Sequence, residues 1–95
     1  MITSKQRAKL RGLANDIDTI FQIGKGGIGD NFLKQMEDAL EARELVKVKV
    51  LETAFMSARE ACEEVCEAIG CEPVSCVGNK FIVYKESVNN KTIKI

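Results

Sequence analysis

The residues able to do chemistry in this chain fall in two places. The first is the run Gly24-Lys25-Gly26-Gly27. Glycine has no Cβ, so such a run lets backbone N–H groups approach an anion closely. Lys25 adds a mobile positive charge. A helix starting just after the run would add the positive end of its dipole, a common setting for phosphate binding. The second place is the cysteine set Cys62, Cys66, Cys71 and Cys76, separated by three, four and four residues. No CxxC pair is present and the chain has no histidine, whereas structural zinc sites bring ligands in closely spaced pairs. These thiols read as buried packing groups. Nothing marks the chain as secreted, so no disulfides are expected.

The glycine run admits several readings. It is not a Walker A loop, which needs a four-residue gap and a following Lys-Ser/Thr. A literal GxGxxG exists in Gly24-Lys25-Gly26-Gly27-Ile28-Gly29. A dinucleotide fold, however, needs a longer chain and an acid closing a second strand, and Glu44 precedes its strand. A ligand-free strand-to-helix turn is a third reading, and a nucleic-acid backbone clamp of the KH type is a fourth. Catalysis has little to work with: there is no histidine and no Ser or Cys beside an evident base, and the carboxylates gather on one helix at spacings that suit a solvated face. No enzyme activity, small-molecule substrate or cofactor is expected.

The elements that must position the run are legible from periodicity. Thr3 or Ser4 caps a first helix running to about Asn15, with Ala8, Leu10, Leu13 and Ala14 as its apolar positions. Lys5 and Lys9, and Arg7 and Arg11, line adjacent stripes of it. Gly12 weakens that helix and suggests close packing against a neighbour. Residues 20–23 read as a short strand. Asp30 or Asn31 then caps a second helix, ending near Arg43, with Phe32, Leu33, Met36, Ala39 and Leu40 on one face. Residues 44–51 alternate cleanly, with Val46, Val48 and Val50 on a core face and Lys47 and Lys49 on a wet one, which a helix could equally cover. Ser57 and Glu60 form a capping box for a third helix, whose inner stripe includes Cys62 and Cys66 and which Gly70 stops. Two strands, 73–77 and 80–85, flank Gly78-Asn79, an order that suits a type II′ hairpin turn. The tail, residues 87–95, is polar and expected to fray in part. The order αβαβαββ predicts an α/β (α+β) fold with a mixed four-stranded sheet and three helices.

Bulk properties set the outer limits. The 95 residues predict one domain, able to bury roughly 60–70% of its extended-chain surface. No apolar run reaches the roughly 20 residues of a membrane span, and the N-terminus lacks a secretory signal, so a cytoplasmic location is expected. Net charge is zero, with 14 basic and 14 acidic residues. The charge is nevertheless polarised. Up to Lys25 there are five basic and two acidic residues; from Ser57 to Glu72 there are one basic and five acidic. A fold can turn that into a basic face and an acidic face, or leave two solvated helix surfaces.

Several segments together resemble the YhbY-like bacterial proteins of the CRM family (chloroplast RNA splicing and ribosome maturation domain). They are Ile2-Thr3-Ser4-Lys5-Gln6-Arg7-Ala8-Lys9-Leu10-Arg11, Phe21-Gln22-Ile23-Gly24-Lys25-Gly26-Gly27, Ala39-Leu40-Glu41-Ala42-Arg43-Glu44-Leu45-Val46-Lys47-Val48 and Val77-Gly78-Asn79-Lys80-Phe81-Ile82-Val83-Tyr84-Lys85. The resemblance covers nearly the whole chain. It implies an RNA-binding domain resembling the C-terminal domain of translation initiation factor three, with a GxxG loop at Gly24, Lys25, Gly26 and Gly27. It also implies ribosomal RNA or precursors of the large ribosomal subunit as partner; a monomer is expected. Lys5, Arg7, Lys9 and Arg11 would extend the contact. Asn79 stands where relatives often carry Arg or Lys, which leaves Lys80 as the contact near the hairpin. The alternative is a protein–protein adaptor on ribosomal particles, using the acidic third helix.

Overall fold

Thr3 opens the first helix through a reciprocal cap: its hydroxyl accepts the Gln6 N–H at 3.1 Å, and the Gln6 carboxamide accepts the Thr3 N–H at 2.8 Å. Such a box satisfies two N–H groups that a helix start leaves orphaned. The fold, taken from a computed structural model, is described for residues 2–91 and Ile93. Its elements are α1 (Ser4–Ala14), β1 (Thr19–Ile23), α2 (Asp30–Arg43), β2 (Leu45–Val50), a single 3-10 turn (Glu52–Ala54), α3 (Ala58–Ile69), β3 (Glu72–Val77) and β4 (Lys80–Tyr84).

The sheet order is β1-β2-β4-β3. β1 and β2 run parallel, joined by α2, while β4 is antiparallel to both β2 and β3. β2 and β3 therefore point the same way but are not neighbours, because β4 inserts between them. The hairpin turn places Gly78 at φ 60 and leaves Asn79 with a negative φ, the type II′ arrangement.

The alternation along β2 and β4 divides the molecule into two layers. Val46, Val48, Val50, Phe81 and Val83 face α2 and α3 and join Met36, Leu40, Ala61, Cys62 and Val65 in the main core. Leu45 and Tyr84 face the other way and pack with Leu10, Ala14 and Val74 under α1. Only Leu10 and Ala14 of α1 are buried. Leu13 is 41% exposed and Ala8 is exposed, because the helix rests on the sheet along a narrow line. Gly12 is also exposed, and a Cβ there would meet nothing within 4 Å, so it marks no close packing.

The start of α2 also differs from expectation. Gly29, with extended backbone, caps α2; neither Asp30 nor Asn31 does, and no side chain bonds the helix start. Asp30 already lies inside the helix, where its carboxylate can favour the dipole but cannot cap. Two carboxylates of the α2 region accept hydrogen bonds from the tail. Glu41 accepts from the Ser87 hydroxyl at 2.6 Å and from the Val88 and Asn89 N–H groups at 2.9 and 3.0 Å. Buried Glu44, the α2 C-cap, accepts from the Ser87 and Ile93 N–H groups at 2.9 and 2.8 Å. Two carboxylates thus satisfy the backbone of a segment whose composition alone suggests fraying. Residues 92, 94 and 95 of that tail lie outside the described residues.

Candidate nucleic-acid interface

β1 runs directly into the glycine run. The Gly27 N–H donates to the Gly24 carbonyl at 2.9 Å, closing a four-residue turn with Lys25 and Gly26 at its tip. Gly27 takes φ 66, a left-handed conformation that favours glycine. Lys25 and Gly26 are exposed, and a Cβ on Gly26 would meet nothing within 4 Å. The two stems of the loop are tied by an edge-to-face contact between Phe21 of β1 and Phe32 of α2, centroids 5.8 Å apart. Pinning both stems in this way keeps the tip in one place.

The loop is backed by the connection after β2. The Leu51 N–H donates to the Ile23 carbonyl at 2.9 Å. A Cβ on Gly24 would lie 3.5 Å from Leu51 and Thr53. The first N–H groups of α2 open beside the run without a side-chain cap, although the carboxylate of Asp30 offsets part of the dipole there.

Register then brings lysines to the same end of the sheet. Ile23, the last residue before the loop, pairs with Val50. One position back, Gln22 pairs with Lys49, and Lys49 pairs with Lys80. Alternation places these three side chains on the α1 face. They form a row across β1, β2 and β4, with strands roughly 4.8 Å apart. α1 packs over Leu45, Val74 and Tyr84 at the far end of the sheet, and in this row Gln22 and Lys80 are exposed while Lys49 is half-buried. Neither Lys49 nor Lys80 has a carboxylate partner among the described residues.

Lys47 lies on the same face, against the groove formed by Leu13, Ile17 and Leu45. The basic residues Lys5, Lys9 and Arg11 are exposed on α1, which covers that face. Arg7 is half-buried, and its Nε donates to the Pro73 carbonyl at 3.0 Å, tying α1 to edge strand β3. The opposite layer carries the acids, with Glu60, Glu63, Glu64 and Glu67 exposed on α3. The fold therefore converts polarity along the chain into a basic side and an acidic side.

Periodicity did not pick out Phe55. It follows the 3-10 turn in a left-handed conformation, φ 53, which costs an L-residue roughly 1–2 kcal/mol, and it is 92% exposed. The available signal was its place in the connection between β2 and the Ser57 cap of α3, outside any apolar repeat. The four cysteines form no site with the geometry to hold a metal ion among the described residues. Cys62 and Cys66 lie on α3, Cys71 in the connection after it and Cys76 on β3; Cys62 and Cys71 are buried as expected, but Cys66 is half-buried and Cys76 exposed, and the Cys71 and Cys66 sulfurs are 3.5 Å apart.

No helix among the described residues is long and apolar enough to cross a membrane. The family model of the CRS1 / YhbY (CRM) domain matches residues 2–85. The chain is 42% identical over 95 residues to Probable RNA-binding protein YqeI of Bacillus subtilis, covering 100% of this chain and 99% of that protein. It is 26% identical over 90 residues to an RNA-binding protein of Haemophilus influenzae, covering 95% and 91%. The solution structure of SAV1595 from Staphylococcus aureus superposes with a TM-score of 0.79 at 44% identity, covering 100% and 99%.

Proposed function

The chain belongs to the CRS1 / YhbY (CRM) domain family, and on that premise we propose that it is a non-catalytic RNA-binding protein that grips phosphates with the Gly24–Gly27 loop and the Lys49–Lys80 row. The relatives named as RNA-binding proteins support RNA as the partner. The observation that carries the assignment of the site is the register. It sets two unanswered ammonium groups one row from a glycine turn whose tip is itself a lysine. Like charges held side by side cost stability in the free protein, and a polyanion relieves that cost. Lys5, Lys9 and Arg11 extend the surface along α1, while Arg7 braces α1 against β3. The RNA is ribosomal, in precursors of the large subunit, and the protein acts in the cytoplasm as a monomer.

Gly26→Asp tests the loop. The site has room for the added side chain, so the fold is expected to persist while a carboxylate sits where a phosphate would. Affinity for ribosomal RNA, followed by filter binding, should fall at least tenfold with an unchanged circular dichroism spectrum. Undiminished affinity in the folded variant removes the loop from the interface.

A second reading is favoured by the exposed glutamates of α3, a surface suited to a basic ribosomal protein. Recovery of the protein's partners from lysate with and without ribonuclease separates the two. Ribosomal proteins retained after complete RNA digestion support the adaptor, whereas their loss supports direct RNA binding.

A further inference from the structure

Among the described residues Phe55 is the most exposed large apolar side chain, at 92%. Two hydrogen bonds, Ala54 N–H to Leu51 O at 3.0 Å and Phe55 N–H to Glu52 O at 3.1 Å, fold the segment between β2 and α3 into one tight turn. Ala54 and Met56 turn inward against the main core. Phe55, between them, takes the left-handed backbone and projects into solvent. Leu51 and Thr53 of the same turn are the atoms that back Gly24. The ring therefore rides on the segment that supports the glycine loop, at the same end of the sheet as Lys49 and Lys80.

The surroundings select the ligand. Glu52, Thr53, Ser57 and Arg59 are exposed and polar, so the ring stands alone rather than inside an apolar patch. A protein partner's hot spot would bury a cluster of neighbouring apolar side chains, and this turn presents one. A single flat ring next to a phosphate cradle matches the face of an unpaired base, because a strand gripped by its backbone can splay its bases outward. We propose that Phe55 stacks on an unpaired base of the RNA whose backbone lies on the glycine loop. This inference rests on the proposed RNA-binding function. Stacking is tolerant of base identity, so it selects single-stranded or looped RNA over duplex without reading sequence.

The chain has no tryptophan, so Phe55→Trp installs a single reporter at the site. Titration with a short single-stranded oligoadenylate should quench its emission and retain wild-type affinity, while a duplex of equal length should bind with little quenching. Phe55→Ala should weaken single-strand binding roughly five- to hundredfold, the loss expected for one stacked base, without changing the salt dependence. Lys25→Glu serves as the control for the site itself. If Lys25→Glu loses binding but Phe55→Ala binds like wild type, or the Trp emission is unmoved at saturation, the stacking role is overturned and the phosphate site stands. If Lys25→Glu also binds like wild type, the glycine-loop interface fails and the stacking role with it. If Phe55→Ala instead changes only the oligomeric state in sedimentation, Phe55 is a contact between copies of the chain and the proposal is wrong.

Discussion

Lys49 and Lys80 stand directly opposite one another across the β2–β4 pair, and no carboxylate answers either charge among the described residues. Directly opposed like charges destabilise a sheet, and an opposite-charge pair contributes roughly 0.2–1 kcal/mol. Lys49→Glu should therefore raise the unfolding midpoint, by about 4–8 °C for each kcal/mol gained in a domain of this size, while lowering RNA affinity. Calorimetry paired with RNA titration checks both halves. A variant that is less stable, or that binds RNA as well as wild type, would show that the pair is not held apart for an anion.

Helix α1 carries an unused margin of stability at Gly12. The residue is helical and exposed, and a Cβ there meets nothing within 4 Å. Gly12→Ala should stabilise by about 0.8–1 kcal/mol through propensity alone, with RNA binding unchanged. Chemical denaturation gives the answer; a destabilised variant would contradict the open surface at Gly12.

The tail anchor titrates. The Ser87 hydroxyl, followed by the Val88 and Asn89 N–H groups, holds the Glu41 carboxyl down at about 2 from its usual 4.5. A depressed folded-state value means stability that is present in full above about 4.5 and lost as pH falls from there toward 2. The stability gap between wild type and Glu41→Gln should accordingly be widest near neutral pH and close on acidification. A gap that does not vary with pH would contradict the carboxylate's role.

The Cys62 and Cys76 thiols should be sluggish. Burial, with Cys62 beside it, pushes the Cys76 thiol up to about 11. A hydrogen bond with Cys66, reinforced by burial, pushes Cys62 up as well. Thiolate is the reactive form, so alkylation of these two at neutral pH should run well below the rate of a free cysteine, with exposed Cys76 on the edge strand modified before buried Cys62. Mass spectrometry of a timed iodoacetamide reaction reads this directly; rapid labelling of Cys62 would contradict it.

Local signals carried most of the fold. Ser57 and Glu60 fix the start of α3, and Gly70, at φ 71, fixes its end; Gly78-Asn79 fixes the hairpin. Each is decided within a few residues, so each is legible in sequence. The Lys49–Lys80 contact is not, because it depends on β4 inserting between β2 and β3, a choice made by the whole sheet. The tail escaped for the same reason: Glu41 and Ser87 are 46 residues apart. On α1, helical spacing alone could not show that Leu13 would stand at the rim of the contact while Leu10 sat beneath it. Phe55 was hidden because an aromatic between two elements has no period to betray which way it faces.

The proposed grip on phosphates joins the loop tip to the lysine row. Fluorescence anisotropy of a labelled single-stranded ribosomal RNA fragment, titrated with wild type and with a Lys25→Ala/Lys80→Ala double variant across a series of salt concentrations, tests it most directly. Each lost phosphate contact removes about 0.7 from the log–log salt slope on single strands. Weaker binding and a slope shallower by about 1.4 are expected in the double variant. Equal affinity and equal slope for the two proteins would contradict it.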